Sequence, residues 1–196
     1  MRERDARLLQ AIEDLRRSID ALAVLAVTDP LTGLSNRRHF DDGIRREFRR
    51  ARRHQHPLAV LLLDVDQLKE INDTLGHPAG DGALVTVADA IRAAQRQSDF
   101  AARYGGDEFA VALIETDVPG ALACATRLVE AVAAQPVVVG RRTVPLTVSA
   151  GVGVLACGAA GAGAIQVDSA PDLVARADAA LLRAKSGGKN RVVLAG

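Results

Sequence analysis

The stretch that decides the fold of this chain is residues 100–113, FAARYGGDEFAVAL. Gly105 and Gly106 separate a short strand-like run from an apolar run. A Gly-Gly link between two strand patterns predicts a tight hairpin, because such a turn requires positive φ angles, which glycine adopts readily. The turn would present Asp107 and Glu108 at the hairpin tip. Acids held beside backbone amides suit a divalent cation that carries a phosphate.

Length and composition indicate a globular protein of one domain plus an appendage. The chain has 196 residues, of which 48% are hydrophobic and 25% charged. The net charge of +1 gives no basis for expecting nucleic acid or an acidic membrane as a partner. Residues 1–7 precede an amphipathic stretch, so no signal peptide is predicted and a cytoplasmic location is expected. Cys124 and Cys157 lack metal-type spacing, which is typical of free thiols in a reducing compartment.

One uncharged run, residues 143–167, is long enough to span a bilayer. Pro145, several glycines and several polar residues interrupt the run, and its middle alternates like a strand. We therefore interpret it as a strand over 143–155 followed by a Gly/Ala loop over 158–164, and we expect no membrane span.

Residues 1–27 are predicted to form a helix with a heptad seam. Its apolar positions alternate steps of four and three: Leu8, Ile12, Leu15, Ile19, Leu22 and Ala26. Two interpretations stay open, because barely three heptads are present. The helix either lies on its own domain or forms a two-stranded coiled coil that continues from, or replaces, an upstream sensor.

A turn-rich joint follows at residues 29–37, DPLTGLSNR, where Pro30 ends the helix and Gly33 relieves the backbone. The next predicted helix, 38–56, carries most of the eight arginines found between positions 37 and 53. Its basic face is either solvated or binds an anion or a partner. Its opposite stripe is apolar: Ile44, Phe48 and Ala51.

The rest of the pattern interleaves helices with strands. Strands are predicted over 57–65, over the hairpin 100–113, over 143–155 and over 191–194. Helices are predicted over 66–75, 79–95, 119–134 and 171–186. This order indicates an α+β fold, a ferredoxin-like, mostly antiparallel sheet covered by helices on one or both faces.

Three further segments occur in the order and spacing of one family's motifs: DVDQLKEINDTLGHPAGD at 64–81, YGGDEF at 104–109 and DAALLRAK at 178–185. With the joint, they make the chain resemble the GGDEF family over about residues 28–194. Members of that family are diguanylate cyclases, which join two GTP molecules into cyclic di-GMP. The resemblance implies a palm-type nucleotidyl cyclase core over residues 28–196, preceded by a coiled-coil-type signalling helix over 1–27.

The resemblance also implies a metal site. Asp64 and Asp107 correspond to carboxylates that hold Mg²⁺ or Mn²⁺, assisted by the backbone carbonyl of Val65. Glu108 corresponds to a second ligand or a base for the ribose 3′-hydroxyl, and the glycine pair forms the catalytic turn. The residues favour Asp64 independently, because an unpaired charge at the end of a buried strand is costly. Asp66 is interpreted as a solvent-accessible helix cap.

A GTP site is implied by the same motifs. Asn72 and Asp81 correspond to guanine-binding residues, and their chemistry suits guanine: a carboxylate accepts from N1–H and the exocyclic amine, while an amide donates and accepts. Adenine would present the wrong donors. The other positions that match the substrate site are Leu68, Lys69, His77, Lys185 and Lys189.

Three of the matching positions depart from the family pattern. Leu68 stands where phenylalanine is usual and keeps an apolar contact, and Leu182 stands where tyrosine is frequent. Lys189 stands for the usual arginine, which keeps the charge but loses bidentate geometry. With Lys69 and Lys185 it is expected to contact phosphate, whereas His77 is interpreted as structural or pocket-lining.

A second ligand site is implied by residues 96–99, RQSD, five residues before Tyr104. The segment resembles the family's RxxD inhibitory site at its usual offset from the glycine pair. Arg96 would bind phosphate or guanine and Asp99 a guanine edge of cyclic di-GMP, with Arg127 as a second arginine. The alternative is an ordinary exposed salt bridge.

The implied reaction is an attack of the 3′-oxygen of one GTP on the α-phosphorus of another, with loss of pyrophosphate. Mg²⁺ would neutralise the triphosphate and acidify the attacking hydroxyl. One site holds one GTP, so a homodimer must bring two sites together. Two other functions stay open: a silent receptor for cyclic di-GMP or GTP, and a dimerising relay domain. The intact acids favour the enzyme, because a relay would leave them unexplained.

Overall fold

The computed structural model describes residues 27–155 and 168–196. The predicted N-terminal helix, apart from Val27, lies outside the described residues, as do Cys157 and the predicted loop over 158–164.

The described residues form five helices and eight strands. The helices are α1 (Arg37–His54), α2 (Leu68–Leu75), α3 (His77–Ala94), α4 (Val118–Ala133) and α5 (Ala170–Ser186). The strands are β1 (Ser35–Asn36), β2 (Leu58–Val65), β3 (Phe100–Arg103), β4 (Glu108–Ile114), β5 (Val137–Val139), β6 (Arg142–Val144), β7 (Val148–Leu155) and β8 (Val192–Leu194).

A six-stranded sheet in the order β1-β3-β4-β2-β7-β8 forms the centre of the fold. Its four central strands are antiparallel, and the short strands β1 and β8 add parallel edges. The central order β3-β4-β2-β7, with α2 and α3 between β2 and β3 and α4 before β7, is the ferredoxin-like arrangement. The predicted α+β fold is therefore confirmed.

Strand β2 is the middle of the core, and all eight of its residues are buried. Its side chains alternate between the two faces, as a strand requires. On one face Leu61 and Leu63 pack with α3 and α4, and on the other Val60 and Leu62 pack with α1 and α5. A continuous apolar run of this kind is typical of a strand with both faces covered.

Helix α1 presents its apolar stripe to the sheet and its basic face to solvent. Asn36 caps the helix by accepting a hydrogen bond from the His39 amide at 3.0 Å. Phe40, Ile44 and Phe48 are buried, whereas all eight arginines between positions 37 and 53 are exposed. The predicted stripe is confirmed.

The strand segment that precedes α5 differs from the sequence-based expectation. The single strand predicted over 143–155 is two strands, because Pro145 cannot donate a backbone hydrogen bond and separates β6 from β7. The first part pairs with β5 in a separate two-stranded sheet, whose turn contains Gly140 at φ 61°.

Within 27–155 and 168–196, none of the helices combines the length and apolar character needed to cross a bilayer.

Helix α5 packs so closely on β7 that Gly151 has no room for a side chain. A Cβ at this position would lie 2.0 Å from the Ala177 carbonyl oxygen and 2.3 Å from the Leu181 nitrogen. Gly151→Ala should lower the free energy of unfolding by about 2–4 kcal/mol, because backbone atoms of α5 would have to move. Urea denaturation measures the change.

The matched control is Gly82→Ala on α3, where a Cβ would meet nothing within 4 Å. That substitution should raise stability by up to about 1 kcal/mol, because alanine favours helix over glycine. Equal stability of the Gly151→Ala protein and the unsubstituted protein would contradict the described packing of α5.

Candidate active site

The β3–β4 hairpin, whose turn contains Gly105 and Gly106, is closed by hydrogen bonds to the backbone of Glu108. The Tyr104 and Gly105 amides both donate to the Glu108 carbonyl, at 2.7 and 3.1 Å. Neither Gly105 nor Gly106 has a positive φ, so the predicted reason for these glycines is wrong. A four-residue connection between β3 and β4 removes the need for a two-residue turn.

Gly105 is instead required by space. A Cβ at this position would lie 2.5 Å from the Glu108 Oε2 atom and 3.3 Å from its Cβ. At Gly106 a Cβ would meet nothing within 4 Å. The first glycine therefore makes room for the Glu108 side chain, which is half-buried.

Arg103 ties the hairpin to the joint that precedes α1. Its guanidinium donates to the Gly106 carbonyl at 2.7 Å and pairs with the Asp29 carboxylate at 3.3 Å. Burial raises the pKa of Asp29, but hydrogen bonds from Thr32 and the Arg103 charge outweigh it and hold the pKa below its ordinary value. Sequence analysis missed this pair, because 74 residues separate the two side chains.

Pairing of β2 with β4 places two of the predicted acids side by side. Asp64 lies directly opposite Glu108 in the antiparallel register, so both side chains are on the same face of the sheet. The Val65 amide donates to the Asp107 carbonyl at 3.0 Å, which fixes the third acid at the same strand end. The structure therefore brings Asp64, Asp107 and Glu108 together.

Lys185 on α5 contacts this acid group. Its Nζ atom lies 2.6 Å from Asp64 Oδ2, and the Asp64 side chain is only 8% exposed. Burial raises the pKa of Asp64 to about 6; Lys185 opposes that rise, while Asp107 and Glu108 add to it. Burial lowers the pKa of Lys185, but the Asp64 carboxylate outweighs it and the net shift is upward.

The acid group fits a divalent ion that arrives with a nucleotide. Its side-chain donors are carboxylate oxygens, the ligands that Mg²⁺ prefers. Within the described ranges, no three His, Cys, Asp or Glu side chains are close enough to hold a metal ion alone. Mg²⁺ in nucleotide sites is held by one or two carboxylates plus phosphate oxygens, so an incomplete protein cage is the expected arrangement.

Asp66 is not the helix cap that its position suggested. It is 4% exposed, and its carboxylate accepts hydrogen bonds from Thr147 Oγ1 and Ser149 Oγ, each at 2.8 Å, and from the Asn190 amide at 3.0 Å. The residue at the cap of α2 is Gln67, which makes no side-chain cap bond. Asp66 is the first residue after β2, and its side chain is directed towards β7, where Ser149 lies.

The two predicted guanine-binding residues lie at the junction of α2 and α3. Asn72 packs on Gly80 so closely that a Cβ at position 80 would be 2.0 Å from Asn72 Oδ1. Asp81 follows Gly80 and is exposed. Gly76, at φ 88°, makes the sharp turn between the helices, and its amide donates to the Asn72 carbonyl at 2.8 Å.

The other predicted substrate residues surround this junction and the end of α5. Leu68 is half-buried against the core, so its expected apolar contact is confirmed. Lys69 at the start of α2 and His77 at the start of α3 are exposed. Lys189 is exposed in the loop after α5 and has φ 62°.

A cleft of about 480 Å³ opens beside Glu108, between α1 and α5. The Arg37 guanidinium lies 4.3 Å from the centroid of the Tyr104 ring, and the Tyr104 hydroxyl donates to Asp41 at 3.2 Å. Burial, followed by the Asp41 carboxylate, raises the pKa of the Tyr104 phenol. Sequence analysis did not find this cleft; the tyrosine beside the glycine pair was the available signal.

The predicted inhibitory residues gather around Cys124, a buried free thiol on α4. Burial raises the pKa of that thiol, and Arg127, Asp99 and Arg96 all lie near enough to perturb it. Asp99 accepts hydrogen bonds from the Arg96 and Ile114 amides, both at 3.0 Å. The Asp99 carboxylate therefore caps backbone amides, and the structure records no Arg96–Asp99 ion pair among the described residues.

Comparison with known proteins identifies the family. A family model described as "Diguanylate cyclase, GGDEF domain" matches residues 26–191. Diguanylate cyclase DgcP of Pseudomonas aeruginosa is 37% identical over 194 residues, which is 98% of this chain and 26% of that protein. Response regulator PleD of Caulobacter vibrioides is 39% identical over 181 residues, which is 91% of this chain and 38% of that protein.

A solved structure agrees with the sequence matches. The coiled coil and GGDEF domain of DgcB from Caulobacter crescentus, in complex with c-di-GMP, superposes with a TM-score of 0.84 at 31% identity. The match covers 97% of this chain and 98% of that one. The chain spans 26% and 38% of the length of the two curated relatives. It belongs to the diguanylate cyclase GGDEF-domain family.

Proposed function

We propose that the chain condenses two GTP molecules into cyclic di-GMP and releases two pyrophosphates. The observation that carries the proposal is the β2–β4 register, which sets Asp64 opposite Glu108 beside the Lys185 ammonium. Carboxylates and an ammonium at one strand end suit a triphosphate with its metal.

The metal-binding residues are Asp64 and Asp107, with the Val65 carbonyl, and the ion is Mg²⁺ or Mn²⁺. When bound, the ion neutralises the triphosphate and increases the acidity of the 3′-hydroxyl. Glu108 is placed either as a further ligand or as the acceptor of the 3′-hydroxyl proton. The Gly105 position keeps space for that side chain, because a Cβ there would collide with it.

Substrate selection is assigned to the α2–α3 junction and the end of α5. Asn72 and Asp81 bind the guanine edge, with Leu68 and His77 lining the base site. Lys69, Lys185 and Lys189 bind the phosphates. Lys185 contacts Asp64 at 2.6 Å, and a metal held by that carboxylate would leave the lysine free to pair with phosphate.

Two copies of the chain complete the reaction. Each protomer carries one guanine-binding pair and one acid group, so the 3′-hydroxyl that attacks a bound GTP has to come from a second bound GTP. A homodimer that faces the two sites provides this arrangement. Arg96, Asp99 and Arg127 form the site at which cyclic di-GMP inhibits the enzyme.

The direct test is incubation with GTP and Mg²⁺ over a range of protein concentrations, with nucleotides separated by anion exchange. Cyclic di-GMP should appear at a rate that rises more steeply than linearly with protein. Asp107→Asn and Glu108→Gln should each reduce the rate by at least about 100-fold, because each removes a charge at the reacting phosphate. Bound nucleotide without product would support a receptor instead.

The raised pKa of Asp64 predicts a pH-dependent metal affinity. Below about pH 6 the carboxyl is protonated, so affinity for Mg²⁺ with α,β-methylene GTP should fall about tenfold per pH unit. Because the folded-state pKa exceeds the unfolded one, the stability that Asp64 contributes to the metal-free protein is present below about pH 4 and is lost as pH rises through about 6.

Calorimetric titration between about pH 5 and 7.5 measures the affinity. The control is Asp64→Asn, whose remaining slope reports titration of the nucleotide itself. Identical slopes in the two proteins would contradict a metal-binding role for Asp64.

The proposed inhibitory site predicts that Arg96 determines how strongly cyclic di-GMP inhibits the enzyme. Arg96→Ala should raise the cyclic di-GMP concentration that halves the rate by at least about tenfold, because a charge-assisted contact contributes about 1.5–3 kcal/mol. Arg141→Ala, at an exposed arginine in the β5–β6 turn, is the control and should not change it. Unchanged inhibition in the Arg96 variant would remove the inhibitory role.

A further inference from the structure

We propose that Asp66 is a positioning residue that fixes the backbone of Lys189 for triphosphate binding. The inference rests on the proposed function, because it takes Lys189 as a phosphate contact. It assigns different tasks to the two acids of the Asp64-Val65-Asp66 segment. Asp64 binds Lys185 and is the proposed metal ligand, whereas Asp66 binds a backbone amide in the loop that follows α5.

Three hydrogen bonds converge on the Asp66 carboxylate. Ser149 Oγ donates to Oδ1, and both Thr147 Oγ1 and the Asn190 amide donate to Oδ2. The Asp66 amide in turn donates to the Thr147 carbonyl at 2.9 Å. The carboxylate therefore connects the end of β2, the start of β7 and the loop after α5.

A carboxylate suits this arrangement, because its two oxygens accept all three hydrogen bonds and its charge strengthens each of them. The Asn190 amide is a donor only, so it requires an acceptor at the Oδ2 position. A buried carboxylate is otherwise costly, so a role in stability alone would be served as well by an apolar contact.

The backbone that Asp66 binds has an unusual conformation. Gly188, Lys189 and Asn190 have φ values of 114°, 62° and 45°, so three successive residues are in the positive region. That conformation is disfavoured for side chains with a Cβ and persists only when its surroundings enforce it. Unusual backbone of this kind concentrates at functional sites.

Several hydrogen bonds enforce this conformation, among them one from the Gly188 amide to the Lys185 carbonyl at 3.4 Å. The Lys189 amide donates to the Ala184 carbonyl at 3.1 Å, and Arg191 Nε donates to the Lys189 carbonyl at 3.2 Å. Both partners belong to the same α5–β8 region as the loop. The Asp66 bond to Asn190 is the contact that comes from the metal-binding strand, so it sets where the loop lies relative to the acids.

Asp64 and Asp66 together restrain the positions of Lys185 and Lys189. Asp64 contacts the Lys185 side chain at 2.6 Å, and Asp66 holds the residue after Lys189 at 3.0 Å. Asp64 lies in β2 and Asp66 is the first residue after that strand, and both side chains reach the end of α5 and the loop that follows it. The metal-binding acid and the two lysines are thereby positioned from one short segment.

The test compares two nucleotides on the full chain. In Asp66→Ala, which removes the acceptor of the Asn190 amide, affinity for α,β-methylene GTP should fall about tenfold, whereas affinity for GMP should change less than about twofold, because only the longer phosphate chain reaches Lys189. Adding Lys189→Ala to that variant should weaken binding by less than about another twofold, since the lysine is already misplaced. Calorimetry measures all affinities.

Ser149→Ala is the matched control. It removes a donor to Oδ1 and leaves the Oδ2 bond to Asn190, so it should lower the melting temperature without changing affinity for α,β-methylene GTP. If Asp66→Ala does not fold, Asp66→Glu keeps the charge but displaces the carboxylate by one methylene, and it should reproduce the loss for the triphosphate alone.

Several results would overturn the inference. Equal losses for GMP and α,β-methylene GTP, or full additivity with Lys189→Ala, would make Asp66 a structural residue only. A protein that binds α,β-methylene GTP but forms no cyclic di-GMP from GTP would count against the proposed reaction and leave this inference standing. No binding to the unsubstituted protein would overturn both.

Discussion

Burial of β2 at the centre of the sheet is the constraint on which the rest of the structure depends. Because both faces of the strand are covered, its register with β4 is fixed, since a one-residue slip would exchange every side chain between two cores. That register sets Asp64 opposite Glu108. A buried apolar strand thus holds two acidic side chains in place at its end.

The same strand end connects to both flanking regions of the site. Through Arg103 the hairpin is joined to Asp29, in the segment that leads from the N-terminal part of the chain. Through Lys185 the acids are joined to α5. Displacement of the joint would therefore act on the Gly106 carbonyl at the hairpin tip, next to the predicted metal-binding acids.

Local sequence patterns predicted the central strand and the acids of the site. Features that depend on contacts between residues distant in the sequence were missed. The run over 57–65 indicated β2, and the acids at its end and at the hairpin indicated the site. The β5–β6 hairpin was missed, although Gly140 directly after the valines at 137–139 was a signal, because the uncharged run hid the break at Pro145. The role of Gly105 was misread, because a collision with a neighbouring side chain leaves no mark in sequence.

The central claim is that Asp64 and Glu108 face one metal–nucleotide site because β2 and β4 hold them in register. Electron paramagnetic resonance of Mn²⁺ with α,β-methylene GTP tests it most directly. The account predicts a protein-bound Mn²⁺ signal that shows phosphorus couplings from the nucleotide and is lost in Asp64→Asn. The same bound signal, with the same couplings, in the Asp64→Asn protein would contradict it.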